Sequence, residues 1–308
     1  MTPPATTSID WIAADWGTSH LRVWALAGAR VIHQAASDQG MARLARAEFE
    51  GALLDLIGPW LPEGQVTPVI ACGMVGSRQG WVEAPYRAVP CQPMADKLIP
   101  APCRDLRLCV HVVPGLKQAQ PADVIRGEET QIAGFLARNP GWDGVVCLPG
   151  THSKWVHLSA GEVVSFQTFL TGEMFALLSE HSVLRHSVGG WEDAGFAEGV
   201  AQGMERPERL MARLFSIRAE GLLAGLDPGH ARARLSGLLI GAELAAAKPY
   251  WLGQRVALIG APEVMQAYGA ALGGLSVPVT AHDATEMTLA GLSAARAHLP
   301  QGERPCVN

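Results

Sequence analysis

The sequence predicts an α/β protein made of two halves that open alike, and three observations carry that reading. First, there is an internal repeat. WGTSHLRVWALAGARVI, from Trp16, lies over PGTHSKWVHLSAGEVVS, from Pro149, at a constant offset of 133 residues (151 minus 18). Gly17 falls on Gly150, Thr18 on Thr151, Val23 on Val156, Ala27 on Ala160, Gly28 on Gly161 and Val31 on Val164, which points to duplicated halves. Second, each half passes from strands to helix and back to strand, the pattern of α/β domains. Third, 308 residues with 48% hydrophobic content can bury two sizeable cores.

The elements follow in order. Strand patterns of period two occupy residues 9–15, 21–27 and 30–36, with a Gly-Thr turn between the first two and a tight Gly28 turn between the second and third. A helical pattern from about Arg46 to Trp60 places Phe49, Leu53, Leu54 and Ile57 on one face. PVIACG from Pro68 reads as a buried strand running into the loop MVGSRQGWVEAPYRAVP, and LRLCVHVVPG, ending at Gly115, as another. Arg126 to Arg138 reads as a helix with acids in its first turn, stopped by Asn139-Pro140-Gly141. That break sets the expected boundary between domains 1–139 and 140–308. The second half restarts with the strand GVVCLPG and completes its hairpin through Phe169. Thr171 to Leu184 is helical, HSVGGW at 186–191 breaks it, and a largely helical stretch runs to about Ala247 with a Pro-Gly break at 228 and 229. VALIGA from Val256 is a strand leading into a helix near Pro262, and LSVPVTA leads through His282-Asp283-Ala284 to a closing helix.

Composition narrows the function. A net charge of −5 and a pI near 6.1 supply no basic field for nucleic acid. The start, MTPPATTSIDW, has neither a positive n-region nor an apolar h-region, so no signal peptide is expected. LSGLLIGAELAAA contains Glu243 and is too short to span a bilayer. The six cysteines, at 72, 91, 103, 109, 147 and 306, form no CxxC pair, and reduced thiols in a cytoplasmic protein are expected.

The chemistry centres on the two turns. A tip reading Asp15-Trp16-Gly17-Thr18-Ser19-His20 offers N–H groups and hydroxyls to an anion and a carboxylate to a metal or water. The same residues suit an ordinary turn, but their recurrence at Gly150-Thr151 favours two phosphate turns facing a cleft. There is no GxxxxGK[ST], and no GxGxxG follows a strand. His152 and His157 fall on opposite faces of a strand pattern, which argues against a zinc pair.

These features resemble the sugar kinase, Hsp70 and actin superfamily, whose two ribonuclease-H-like (actin-like ATPase) domains enclose ATP and substrate in an interdomain cleft. Within it, DWGTSHLRVW, GMARL at 40–44, GMVGSRQGWVEAPYRAVP, RGEETQIAG, PGTHSKWV, TGE at 171–173, SGLLIGAE and Asp283-Ala284-Thr285 are similar to the 2-dehydro-3-deoxygalactonokinase family. The resemblance implies ATP-dependent phosphorylation of the 6-hydroxyl of a 2-keto-3-deoxy sugar acid, with Mg²⁺. It also implies a small-molecule partner, neither nucleic acid nor membrane, and no particular oligomeric state. Alternatives on the same fold are a kinase for the gluconate epimer, a phosphohydrolase, which would need a more basic cleft, and a nucleotide switch, which would need a partner-binding domain.

Site residues follow from the motifs. Gly17, Thr18 and Ser19, with Gly150, Thr151, His152 and Lys154, are expected at the phosphates, although Lys154 would equally cap the sheet. Asp15 is expected to hold the water shell of Mg²⁺. Gly127-Glu128 stands where related kinases carry a Gly-Asp pair, 23 residues before Thr151 (151 minus 128), so Glu128 is the expected base and Glu129 its support. Arg126 and Arg43 are candidates for the substrate carboxylate, and Ser77, Trp81 and Tyr86 for the sugar. Gly241, Gly260 and Ala261 are expected around adenosine, with the Gly237-Gly241 pair equally suited to close helix packing.

Overall fold

The structure is a computed structural model that describes residues 8–299; the expectations for the first seven residues and for Cys306 lie outside that range. It divides into two compact units. The first takes the described residues up to Trp142, then Ala160–Val163 and the stretch from Ala284, and the second takes Asp143–Ser159 and Val164–Asp283.

In the first unit β1 (Trp11–Trp16), β2 (Leu21–Ala27) and β3 (Arg30–Ser37) form an antiparallel meander. Helix α1 (Phe49–Ile57) follows, then β4 (Thr67–Gly73), parallel to β1. Next come β5 (Arg87–Ala88), β6 (Ile99–Pro100), β7 (Leu108–Val112), β8 (Leu116–Gln118), β9 (Asp123–Ile125) and α2 (Glu128–Arg138). The main sheet runs β3-β2-β1-β4-β7-β6, and β5-β8-β9 form a small second one. Strands β5, β6, β8 and β9, of two or three residues each, are too short to show a period in sequence.

The alternation of β1 sorts its side chains. Ile12, Ala14 and Trp16 pack on one face with Phe49, Leu53 and Ile57 of α1. Trp11 and Ala13 pack on the other, beneath Ala133 of α2. Asp15, in phase with Trp11 and Ala13, therefore ends the strand on the side that α2 covers.

The second unit holds β10 (Gly144–Leu148), β11 (Ser153–Ser159), β12 (Glu162–Phe169), α3 (Thr171–Glu180), α4 (Asp193–Glu205), α5 (Leu210–Leu223), α6 (Pro228–Ala246), α7 (Lys248–Trp251), β13 (Val256–Gly260), α8 (Pro262–Gly274) and β14 (Val279–Asp283). Its sheet runs β12-β11-β10-β13-β14. Setting the edge strand β6 aside, both sheets read 3-2-1-4-5, with a meander followed by parallel strands. Pro228 and Gly229 begin a helix: Asp227 caps α6 by accepting the N–H groups of Gly229 at 2.8 Å and His230 at 3.0 Å. Helix α6 is buried on nearly all sides and touches α4 through glycines. A Cβ on Gly199 would lie 2.4 Å from the Arg234 carbonyl oxygen, and one on Gly237 2.3 Å from that of Phe196.

The closing helix α9 (Ala284–Arg296) belongs to the first unit, where the sequence boundary had left it with the second half. Its packing explains why. A Cβ on Gly134 of α2 would stand 1.9 Å from the Met287 carbonyl oxygen, and one on Gly291 1.9 Å from that of Thr130. Gln131 Nε2 donates to Thr288 Oγ1 at 3.3 Å and Arg138 pairs with Glu286 at 2.8 Å. The hydrophobic period of α9 is visible in sequence; its partner, 157 residues upstream (291 minus 134), is not.

Candidate active site

Three chain segments converge at one end of the first sheet: the end of β1, the end of β4 and the start of α2. Gly73, at φ +91°, lets β4 turn away where a Cβ would stand 2.6 Å from the Trp16 carbonyl oxygen and 3.6 Å from Asp15 Oδ1. Gly127, at φ +108°, is the N-cap of α2, and a Cβ there would lie 3.4 Å from Gly73 Cα. Asp15 carries an ion pair with Arg22, its cross-strand partner on β2, and its other oxygen faces the Cys72 thiol at 3.9 Å. Cys72 is buried, and burial together with Asp15 and Glu129 holds its thiol well above the ordinary range.

The two glutamates of α2 divide here. Glu129 is wholly buried; Gly127 N–H donates to its Oε2 at 2.7 Å and Thr130 Oγ1 lies 3.1 Å from its Oε1. Burial, then the neighbouring Glu128, pushes its carboxyl up to about 8. A helix N-terminus stabilises a carboxylate by about 0.3–1 kcal/mol, far less than the shift toward the neutral form, so burial prevails and Glu129 keeps its proton at neutral pH. Glu128 is partly exposed and accepts the Arg126 backbone N–H at 2.9 Å. A neutral Glu129 spares it a like charge next door.

The first Gly-Thr turn is strapped from behind. Trp16 anchors it, packing on Phe49 at 5.0 Å and donating its indole N–H to the Gln39 carbonyl at 2.9 Å. Met41 and Ala42 N–H donate to the Gly17 and Thr18 carbonyls, each at 3.0 Å, and a Cβ on Gly40 would stand 2.4 Å from the Thr18 carbonyl oxygen. Gly17 N–H closes on the His20 carbonyl at 2.9 Å, whereas the N–H groups of Thr18 and Ser19, both exposed, take no backbone acceptor among the described residues. The turn thus spends its carbonyls inward and presents donors outward, as an anion site requires. Arg43 ends the strap and is exposed.

The second turn repeats this in the second unit. Glu173 N–H donates to the Thr151 carbonyl at 2.9 Å, and a Cβ on Gly172 would lie 2.3 Å from the Gly150 carbonyl oxygen. The two strapping glycines follow their turns at nearly the same distance, 23 residues for Gly40 (40 minus 17) and 22 for Gly172 (172 minus 150). His152 lies in the turn, ahead of β11, and pairs with Glu173 at 2.6 Å; Lys154 donates to the His152 carbonyl at 2.9 Å. Gly260 closes β13 beside this turn, where a Cβ would stand 3.3 Å from the Pro149 carbonyl oxygen, and Ala261 is the exposed N-cap of α8. A cavity of about 990 Å³ lies between α4 and α8, lined by Trp191, Phe196, Val200, Glu263, Gln266 and Ala267 among others.

The loop after β4 gathers Ser77, Tyr86 and Arg126. The Arg126 guanidinium lies over the Tyr86 ring at 4.2 Å, donates Nη2 to the Ala84 carbonyl at 2.8 Å, and meets the Tyr86 hydroxyl at 3.3 Å. Its Nη1 and Ser77 Oγ are both buried without a hydrogen-bond partner among the described residues. Two expected site residues are corrected. Trp81 is core: it is 3% exposed, packs on Trp16 and Phe49, and donates its indole N–H to Pro102. Gly241 is buried in the α4–α6 contact, 2.4 Å from the Val200 carbonyl oxygen when given a Cβ, so it has no face for adenosine. Sequence reasoning passed over Arg22, Gly40, Cys72 and Gly172. Register would have found Arg22, which follows from the antiparallel pairing around a four-residue tip; the others depend on tertiary packing.

Among the described residues no three His, Cys, Asp or Glu side chains gather as a metal cluster. Asp15, at the foot of the first turn, is a carboxylate that would suit a phosphate-borne Mg²⁺ met through water.

Known proteins resemble this chain over nearly its whole length. A model of the 2-keto-3-deoxy-galactonokinase family matches residues 15–295. A Rhizobium meliloti (strain 1021) protein named probable 2-dehydro-3-deoxygalactonokinase DgoK1 is 38% identical, the match covering 94% of this chain and 97% of that protein. The Escherichia coli (strain K12) 2-dehydro-3-deoxygalactonokinase is 33% identical over 88% of this chain and 92% of its own. A crystal structure from Sinorhizobium meliloti, ascribed to the same kinase, superposes with a TM-score of 0.87 at 38% identity, covering 97% of this chain and all of that one.

Proposed function

The chain belongs to the 2-keto-3-deoxy-galactonokinase family, and from that premise we propose that it transfers the γ-phosphoryl group of ATP to the 6-hydroxyl of 2-dehydro-3-deoxy-D-galactonate. The observation that carries the reading is the meeting of Asp15, the Gly17-Thr18-Ser19 turn and Glu128 at one end of the first sheet. Phosphoryl transfer needs alignment, charge neutralisation and a base, and little else.

The sugar hydroxyl oxygen bonds to the γ-phosphorus as the bond to the β–γ bridging oxygen breaks, and ADP leaves with that electron pair. Glu128 takes the hydroxyl proton; Glu129, neutral behind it, fixes the start of α2 through Gly127 and Thr130. Thr18 and Ser19 of the first unit, and Thr151 and His152 of the second, give donors to the phosphates. Mg²⁺, when bound, neutralises phosphate charge, and Asp15 holds its water shell. The sugar acid's carboxylate is the acceptor that Arg126 Nη1 and Ser77 Oγ lack, with Tyr86 orienting the guanidinium and Arg43 a second cation. Adenosine takes the groove between α4 and α8, with Gly260 and Ala261, just ahead of α8, toward its phosphates. On this reading the first unit carries substrate and base, and the second carries adenosine. The five described cysteines are free thiols and no described helix is long and apolar enough to cross a membrane, both of which support work in the cytoplasm.

The test is purified protein with ATP, Mg²⁺ and a panel of sugar acids. ADP release that depends on 2-dehydro-3-deoxygalactonate, with phosphate on its 6-oxygen, is expected. Preference for the gluconate epimer would move the substrate, and phosphate release without any acid would make the protein a hydrolase.

A further inference from the structure

Glu243 is a carboxyl that the transfer just described leaves without a task. It sits on α6, 3% exposed, and accepts hydrogen bonds from Trp155 Nε1 at 2.8 Å, from the Tyr268 hydroxyl at 2.7 Å and from the Thr171 hydroxyl. Tyr268 is joined in turn to Ser153 Oγ at 2.7 Å. Burying a carboxyl is costly, and an apolar side chain of the same volume would fill the space without that cost. The arrangement therefore asks what its donors hold in place.

Those donors flank the second Gly-Thr turn on both sides. Ser153 and Trp155 open the strand that leaves the turn, and Thr171 is the first residue of α3, directly before the Gly172-Glu173 strap. The strap fits the turn closely, Gly172 against the Gly150 carbonyl and Glu173 N–H on the Thr151 carbonyl. A shift of the start of α3 by a fraction of an ångström is therefore passed to Thr151. Among the described residues the first strap has no buried carboxyl behind it; the Trp16 indole on the Gln39 carbonyl and the Met41 and Ala42 N–H groups on the turn carbonyls hold it.

We propose that Glu243 is a positioning residue for the second phosphate turn: by tying Thr171 to Ser153 and Trp155 it holds the strap in register, so that the donors of Thr151 and His152 face the nucleotide. The inference rests on the kinase reading above. Glu243 touches neither turn nor nucleotide and acts through Thr171.

The experiment compares wild type, Glu243→Gln, Thr171→Val and the double variant by steady-state kinetics, and by calorimetric titration with an ATP analogue, which needs no sugar acid. Each single change should raise the KM for ATP about tenfold, the scale of one lost hydrogen bond to a buried carboxyl, and weaken analogue binding alike. The KM for the sugar acid should stay within twofold, and the double variant should be no worse than the worse single one. Should Glu243→Gln fail to fold, Thr171→Val, at the partly exposed end of the network, decides alone. Unchanged analogue affinity in Thr171→Val overturns the proposal, as does an equal rise in both KM values. A wild type that binds the analogue yet phosphorylates no acid would sink the kinase reading, leaving the titration to judge Glu243.

Discussion

Glutamine in place of Glu129 should abolish a pH-dependent loss of stability that the wild type carries between pH 5 and pH 8. The carboxyl ordinarily releases its proton near 4.5, and in the fold it holds it to about 8. Over pH 4.5 to 8 the unfolded chain has thus lost a proton that the folded chain keeps. By linkage, the stability tied to this group is complete below about pH 4.5, falls as pH rises, and is gone once pH passes about 8. At about 1.4 kcal/mol per tenfold change the whole effect is about 5 kcal/mol, of which about 3 to 4 kcal/mol falls between pH 5 and 8. Glutamine keeps the shape: its carbonyl accepts from Gly127 N–H as Glu129 Oε2 does, and its amide takes the place of Oε1, with the Thr130 hydroxyl turning from donor to acceptor. Urea unfolding of both proteins at pH 5, 6, 7 and 8, followed by tryptophan fluorescence, cancels the groups they share. The glutamine variant should gain steadily on the wild type as pH rises. Parallel curves would mean that Glu129 ionises in the fold as it does in water, and the claim that burial outweighs the helix N-terminus would fail.

Glu128→Gln should lower kcat by about 10² to 10⁴ with ATP binding nearly unchanged; near-normal turnover in single-turnover kinetics would move the base elsewhere. Asp15→Asn should raise the Mg²⁺ needed for half-maximal rate by about 10- to 100-fold and leave the sugar-acid KM alone, and an unchanged Mg²⁺ titration would reduce Asp15 to a partner of Arg22. Arg126→Ala should cost about 2 to 5 kcal/mol in kcat/KM for the acid and far less for an uncharged sugar of equal length, whereas equal losses would make the arginine a clasp for the Ala84–Tyr86 loop. Gly134→Ala should destabilise the protein by about 1 to 3 kcal/mol or more, because its methyl would meet the Met287 carbonyl of α9; a melting temperature matching the wild type would show that the helices can part.

Much of this arrangement was legible because it is written in short-range patterns. Period-two alternation placed β1, β2 and β3 to within two residues, and the offset between Gly17-Thr18 and Gly150-Thr151 announced that the meanders repeat. The acids opening α2 were readable as a base, Glu128, and its support, Glu129, but the burial that pushes up the Glu129 carboxyl was not, since it depends on tertiary packing. Trp81 and Gly241 misled for a related reason. A tryptophan in a polar loop and a glycine in an apolar helix look available for a ligand, and only packing shows that Trp16 and Phe49 claim one and Val200 the other. Arg22 was hidden less deeply, its pairing with Asp15 following from hairpin register.

The return of α9 to the first unit bears on how the chain is made. Translation runs from the amino terminus, and the residues through Trp142 emerge long before Ala284. Throughout that interval the flank of α2 around Gly134 waits without its cover, while the second unit is still being synthesised. The nascent first half therefore cannot reach its final stability on the ribosome. A stop codon placed just ahead of α9 would spare Glu128, Asp15 and the Gly17-Thr18-Ser19 turn, yet leave them on an unfinished scaffold.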